Sequence, residues 1–522
     1  MRTDRVAPSL LELLMISAFV WIAACAASGG PTDSPPDVAP ASSSAPPTGG
    51  PRAMPTEPDA APAAAPPVPF SVWRHREPIY ELYVRHFSPE GTFRAVERRL
   101  PELAALGIGI VWLLPVHEIG SITPANGGQA IDAPHGNPYA VKSYERLNAE
   151  YGSDRTLASA EADLKSLVAR AHQLGMHVIV DWVPNHTAWD NPLLTQHPDW
   201  YRRVGGVVQA VPDFPWIAQL DYGNEDLRAY MVDVMTQWVK KFDLDGYRID
   251  FAHAMPLTFF SRLRQSLEAV KPVFLLAEAG APELHPTFDM TYDWDVYPRF
   301  GDVAHGAHVS TLDDALLHRQ LIPYASRPDA IVMRMTYNHD DNGKFTLSER
   351  YAGGIKTFAV LACTLPGKPL VFDGQEVGMN VHDGSAVRAS INLGHDPKVK
   401  IDWSDPDGYR PFYTKLLQLF RANAALHHPG SDDFRKIDTT SPDRVYAFVR
   451  RDGADAVVVV LNLSATDLPS VSLDPTPNAG AWPGTYTELF SGAQTQLSAG
   501  QSMHLPPWAY RVYVRGPLGQ SM

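Results

Sequence analysis

The sequence predicts an α/β protein built on a TIM (β/α)8 barrel, with a short insertion after strand 3 and a C-terminal all-β sandwich domain. Three observations predict it. Short apolar runs alternate with amphipathic segments of helical period from about Val72 onward. Four of the runs end in polar residues, and the chemistry of such barrels collects at strand C-termini. After about Pro429 the helical period stops and short alternating strands take over.

The elements follow in order. Ile79–Phe87 reads as a strand. Phe93–Leu106 reads as a helix, with Phe93, Val96, Leu100, Leu103 and Leu106 on one face. Ile110–Leu114 is a continuous apolar run of the buried parallel kind. The spacing then predicts a helix over Leu157–Leu174, a strand over His177–Val183, a helix over Glu225–Phe242 and a strand around Tyr247–Ile249. A helix over Leu257–Val270 and strands at Val273–Ala277, near Met290 and at Ile331–Tyr337 continue the alternation. A helix near Tyr351–Leu361, a strand at Pro369–Phe372 and a helix over Tyr409–Leu426 complete it. The barrel is therefore expected over 72–428, with 184–223 as an insertion longer than an ordinary connecting loop. An open doubly wound sheet is the alternative, but no glycine-rich phosphate turn follows the first strand. The β domain is expected over 429–518, with strands at Val445–Val449, Ala456–Leu463, Thr485–Phe490 and Tyr510–Val514.

Composition narrows the function. The 522 residues carry a net charge of −14, which repels phosphate and argues against nucleic-acid binding. The two cysteines, Cys25 and Cys363, exclude a cysteine-rich metal cluster. Arg2 and Arg5, the apolar run Leu13–Ala24 and the small residues before Cys25 read as a signal peptide over 1–25. The run falls short of the roughly 20 apolar residues of a spanning helix. Small residues ahead of a cysteine resemble the lipobox of bacterial lipoproteins, which implies lipidation at Cys25 and an exported, membrane-anchored protein at the cell surface or in the periplasm. Residues 26–71 then form a tether: 13 of the 47 prolines lie between Pro31 and Pro69, and such a stretch buries too little apolar area to fold. A Cys25–Cys363 disulfide is formally open, but a lipidated Cys25 leaves Cys363 single, a core residue among Val360, Leu361 and Ala362.

Four strand ends carry the chemistry. They are Asp181-Trp182-Val183-Pro184-Asn185-His186 after the third strand and Gly246-Tyr247-Arg248-Ile249-Asp250 at the fourth. Leu275-Leu276-Ala277-Glu278 stands at the fifth and Tyr337-Asn338-His339-Asp340 at the seventh. A single strand-end Asp usually caps a helix, and a single His is usually structural. Three acids on strands four, five and seven converge on one pocket, and acetal hydrolysis needs that set: a nucleophilic carboxylate, a protonated acid, and negative charge near the cationic transition state.

With these motifs the chain resembles the α-amylase family, glycoside hydrolase family 13, over roughly Val72 to Gly516. Val111-Trp112-Leu113-Leu114-Pro115, Asn137-Pro138-Tyr139, Asn148-Ala149-Glu150-Tyr151-Gly152 and Gly374-Gln375-Glu376 add to the likeness. The resemblance implies a retaining glycosidase that cleaves α-glucosidic bonds in starch, maltodextrin or maltooligosaccharides. It implies Asp250 as nucleophile, Glu278 as general acid and then base, and Asp340 as the group that orients the distorted sugar. It further implies substrate contacts from Tyr139, His186, Arg248 and His339. Arg248, two residues before Asp250 on a strand, faces the same side and is expected to lower the Asp250 pKa, while Glu278 is expected to have a raised one.

The chain departs from the family pattern at several positions. Ser143 stands where an Asp is frequent, and Asn137-Pro138 replaces a glycine-rich form. His253 falls one position early for the common Lys-His pair. Gln219 in Gln219-Leu220-Asp221 replaces an acid that binds calcium in relatives, which argues against calcium; no metal or cofactor is expected. A transglycosylase of the same family, or a non-catalytic glucan-binding surface lipoprotein, are the competing readings. The complete acid set favours catalysis.

Overall fold

Eight apolar runs become the parallel strands of a closed barrel: β1 Ile79–Leu82, β2 Ile110–Leu113, β3 His177–Trp182, β4 Gly246–Ile249, β5 Phe274–Ala277, β6 Met290–Thr291, β7 Ile331–Arg334 and β8 Lys368–Phe372. The computed structural model describes residues 68–123, 136–321, 327, 329–341, 344–379, 401–429, 434–474 and 482–519. Each strand pairs with its sequence neighbours and β8 closes on β1, with Ile79 opposite both Ile110 and Leu370. Helices cover the outside, so strands are buried on both faces and read as unbroken apolar runs. Each residue of β1, β2, β4, β5 and β8 is buried.

The helices start and stop where their caps dictate. Helix α2 (Phe93–Leu106) opens on the Thr92 hydroxyl, which accepts from the Ala95 N–H at 3.3 Å, and closes on left-handed Gly107. Helix α3 (Leu157–Gln173) opens on a Thr156–Ser159 capping box. Helix α4 (Glu225–Phe242) opens on the Asn224 amide oxygen, which accepts from the Asp226 and Leu227 N–H groups. Helices α5 (Leu257–Glu268), α6 (Tyr297–Ala304), α7 (Ile355–Thr364) and α8 (Tyr409–Ala422) continue the ring.

Several expected elements differ; the strand expected over Ile331–Tyr337 stops at Arg334, and the helix expected over Tyr409–Leu426 breaks at Asn423. The run Ile79–Phe87 is a strand only to Leu82; Val84–Phe87 is a helical turn whose N–H groups bond back to Tyr83. The helix expected at Tyr351–Leu361 is two, Leu347–Tyr351 and α7, parted at Ala352, whose φ of 48° leaves the right-handed helical region. Of the tether expected over 26–71, residues 26–67 lie outside the described residues, and its last two residues belong to helix α1 (Phe70–Arg76), where the Phe70 ring packs edge-on against Trp73 at 5.0 Å.

Between β3 and α4 the chain builds a three-stranded antiparallel sheet from His186–Thr187, Ala210–Val211 and Phe214–Gln219. A hairpin, Arg203–Val204 with Val207–Val208, turns on Gly205 and Gly206, both with positive φ. The C-terminal domain is a six-stranded antiparallel sheet and a two-stranded one. The larger contains β9 Arg435–Lys436, β10 Val445–Asp452, β11 Asp455–Asn462, β13 Gly484–Glu488, β14 Gln494–Leu497 and β16 Tyr510–Arg515; β12 Leu468–Ser472 and β15 Ser502–Leu505 form the smaller. A separate core of Ile437, Val458, Val460, Trp482 and Leu505 fills this domain.

Gly246 opens β4 in a conformation reserved for glycine, with φ 150°. A Cβ there would lie 1.8 Å from the Phe274 carbonyl oxygen, which is backbone and cannot swing away. Gly246→Ala is expected to destabilise the barrel by more than about 3 kcal/mol, read as a fall in thermal midpoint; an unchanged midpoint would contradict this packing.

Candidate active site

The three strand-end acids meet around one guanidinium. Arg248 lies on β4 with its side chain fully buried. Its Nη1 donates to Asp181 Oδ1 at 2.9 Å and to Asp250 Oδ1 at 2.7 Å, and Nη2 lies 3.1 Å from Glu278 Oε1. Carboxylates from the ends of β3, β4 and β5 are thus held by one cation. Asp340, just past β7, lies with its Oδ1 3.5 Å from His339 Nε2, and its N–H is tied to the Asn338 amide oxygen at 3.0 Å.

The turn after β4 aims the Glu278 side chain. Phe251 has φ 51°, a left-handed conformation that costs a bulky residue about 1–3 kcal/mol. That backbone points the Phe251 N–H at Glu278 Oε2, 2.7 Å away. The ring of Phe251 packs edge-on against His186 and Phe214, and His253 is exposed beside it.

The electrostatics follow from burial and from sharing a single cation. Burial pushes the Glu278 carboxyl up to about 7; Arg248 opposes this, and Asp250 and Asp340 add to it. Burial also pushes Asp250 up to about 6, against Arg248 and with the help of Asp181 and Asp340. The expected lowering of Asp250 is therefore corrected: Arg248 does favour the carboxylate, but desolvation outweighs a guanidinium divided among three acids. Burial thus raises both carboxyls, with Glu278 above Asp250, which is the order that a proton donor beside an ionised carboxylate requires.

The expected substrate contacts occupy particular places. Tyr139 is 7% exposed and stacks on His339, ring centroids 5.4 Å apart at 13°. Its hydroxyl donates to Asp181 Oδ2 at 3.0 Å and lies 2.8 Å from His339 Nε2. His186 is buried, with Nε2 3.2 Å from the Tyr139 carbonyl and Nδ1 3.3 Å from the Asn185 amide. Burial lowers its pKa to about 3, so it is a neutral imidazole bridging insertion and barrel. Cys25 lies outside the described residues. Cys363 is buried in α7, and burial pushes its thiol up to about 12, as befits a core residue.

Sequence reasoning passed over three members of this cluster. Asp181 stands in the sequence only as part of a motif, yet both its carboxylate oxygens accept from Arg248 Nη1, at 2.9 and 3.2 Å. Glu81, on β1, binds His339 Nδ1 at 2.5 Å. Tyr292, just past β6, places its ring 5.7 Å from the Arg248 guanidinium. A charged residue inside the apolar run Ile79–Leu82 was the available signal for Glu81.

The residues that hold calcium in relatives do not fit a cation here. The Gln219 amide oxygen accepts from the Arg202 guanidinium at 3.4 Å, so a positive charge already faces it. Asp221 caps its own turn through the Gly223 N–H at 2.9 Å, and the Asn185 amide is turned to His186. Among the described residues, no group of three or more His, Cys, Asp or Glu side chains is arranged to hold a metal.

Comparison with known proteins agrees with this geometry. The model of the α-amylase catalytic domain matches residues 55–203. A cyclomaltodextrinase of Geobacillus thermopakistaniensis is 24% identical over 455 residues, covering 81% of this chain and 70% of the relative. The α-amylase MalA of Haloarcula japonica is 26% identical over 418 residues, covering 76% of this chain and 57% of the relative. The crystal structure of a maltogenic α-amylase, AmyB from Thermotoga neapolitana, superposes with a TM-score of 0.71 at 27% identity, over 85% of this chain and 99% of that one. The barrel is similar to the catalytic domain of the α-amylase family over this part of the chain and in these relatives, and the protein is a glycoside hydrolase.

Proposed function

We propose that the protein is a retaining hydrolase of α-1,4-linked glucans or maltooligosaccharides, working through a glycosyl-enzyme on Asp250. One observation carries the reading: a buried guanidinium lies 2.7 Å from Asp250 and 3.1 Å from Glu278, which brings two carboxyls from adjacent strand ends to one point. In this scheme Glu278 protonates the glycosidic oxygen while Asp250 attacks the anomeric carbon. The C–O bond to the leaving sugar breaks and the bond to the Asp250 carboxylate forms. Glu278, now ionised, takes a proton from water, whose oxygen displaces Asp250 and regenerates both groups. Asp340 accepts from sugar hydroxyls and favours the distorted ring. The names of the relatives, cyclomaltodextrinase and maltogenic amylase, support short or cyclic α-glucans as substrates.

We further propose that the enzyme is exported and held at a membrane by a lipid on Cys25, a reading supported by the residues around that cysteine and by the proline-rich stretch behind it. No helix among the described residues is long and apolar enough to cross a membrane.

Asp250→Asn is expected to lower hydrolysis of soluble starch and maltotriose by about 10³-fold or more in a protein that still folds, as read by circular dichroism; retained activity would remove the nucleophile. For kcat/KM, the acid limb is expected near 6, where Asp250 gains its proton, and the alkaline limb near 7, where Glu278 loses its own. Because the two groups interact, these values belong to the pair. With maltosyl fluoride, whose departure needs no proton, Glu278→Gln should stay active and lose the alkaline limb. An alkaline limb that persists would assign the acid elsewhere. Cys25→Ser should move the protein from the membrane to the soluble fraction; continued retention in membranes would rule out the lipid anchor.

A further inference from the structure

We propose that Glu81, on β1, is a positioning residue that holds His339 as a doubly protonated imidazolium, so that a second fixed positive charge and the Tyr139 hydroxyl stand at the floor of the sugar site. The proposal rests on the reading of this cluster as a glycosidase centre, and it adds a residue that the four strand-end motifs do not contain.

The hydrogens available on each side of the His339 ring set its charge. Tyr139 has one hydroxyl hydrogen, which goes to Asp181 Oδ2 at 3.0 Å. Toward His339 Nε2, 2.8 Å away, the same oxygen can then only accept, so Nε2 carries a hydrogen. On the other side of the ring, Nδ1 lies 2.5 Å from Glu81 Oε1, and that oxygen also accepts the His339 backbone N–H at 3.3 Å. An ionised Glu81 has no hydrogen to give, so in this contact the hydrogen sits on Nδ1. Both nitrogens protonated is an imidazolium. Ring stacking on Tyr139 and an edge contact with Trp112 at 5.9 Å fix its plane.

The surrounding charges agree. His339 faces Glu81 from β1, Asp181 from β3 through Tyr139, Arg248 from β4, its own neighbour Asp340, and Asp373 just past β8. Burial pulls the imidazole down, Asp340 and Glu81 raise it, and Arg248 opposes them, with a net rise to about 9. Burial pushes the Asp373 carboxyl well up, so it contributes little negative charge. The cation beside Asp340, 3.5 Å away, favours its ionised form, which is the form that accepts sugar hydroxyls. It also anchors the oxygen of Tyr139, so that the hydroxyl hydrogen stays on Asp181 and supports the partner of Arg248.

Glu81→Gln keeps size and hydrogen-bonding capacity and removes the charge. An imidazole that has lost a carboxylate partner titrates lower, so the cation persists in acid and is lost as pH rises through the lowered value. The test has two readouts. The first follows the ring carbon and nitrogen shifts of isotope-labelled histidine with pH, the His339 signal being identified by its loss in His339→Asn. The second is the ratio of kcat/KM for Glu81→Gln to that of the wild type across the same pH range. In the wild type His339 should remain an imidazolium to about pH 8, and in Glu81→Gln it should titrate at least about one unit lower. The activity ratio should fall about tenfold or more between about pH 5 and about pH 8, and Glu81→Asp should restore a flatter ratio. A wild-type His339 that is neutral at pH 7 overturns the proposal, whether or not the variant folds. So does a pH-independent ratio with an unshifted histidine. Because the spectroscopic readout needs no turnover, failure of the glycosidase reading at Asp250 would leave this result separately legible.

Discussion

One buried guanidinium organises this molecule's working end. Arg248 reaches carboxylates from the ends of β3, β4 and β5, at 2.7 to 3.1 Å, with no solvent access. A charge so buried costs several kcal/mol to desolvate and is held there only by its partners, and removing one side of such a pair typically costs about 3–5 kcal/mol. The barrel makes this affordable by presenting three strand ends at once. The same sharing sets the chemistry. One cation among three acids leaves negative charge in excess, and excess negative charge in a desolvated site retains a proton. Glu278 is the group that burial and its neighbours leave closest to holding it at neutral pH.

The other side of the pocket repeats the device with weaker parts. Glu81 and Asp340 flank His339, and the Tyr139 hydroxyl joins that ring to Asp181, so the β1, β7 and β3 ends are linked to the Arg248 cluster through one phenol. The backbone takes part too. Phe251, left-handed directly after Asp250, aims its N–H at Glu278, so the Asp250 and Glu278 carboxyls are spaced by one strained peptide rather than by side-chain packing alone.

Much of this was legible in the sequence because the relevant signals are local. The apolar runs of β2, β5 and β8 stand out by composition, and α2 and α4 by period and caps. The acids Asp250, Glu278 and Asp340 stand out as charges at the ends of such runs. What escaped was non-local. The end of β1 at Leu82 depends on backbone bonds to Tyr83 rather than on composition. The β6 strand has only two residues and no period to read. The direction of the Asp250 shift depends on how many acids share Arg248, which no spacing reveals. Glu81 lies 258 residues from His339, and only barrel closure brings them together.

The central claim is that the shared Arg248 leaves a proton on Glu278 while Asp250 stays ionised. Infrared difference spectroscopy of the unliganded enzyme between about pH 6 and about pH 7 reads it directly, since a protonated carboxyl has a carbonyl stretch that a carboxylate lacks. The account predicts that the component titrating near pH 7 in the wild type is absent in Glu278→Gln and moves to lower pH in Asp250→Asn, which removes a charge that raises it. A band that survives Glu278→Gln and disappears in Asp250→Asn would contradict it.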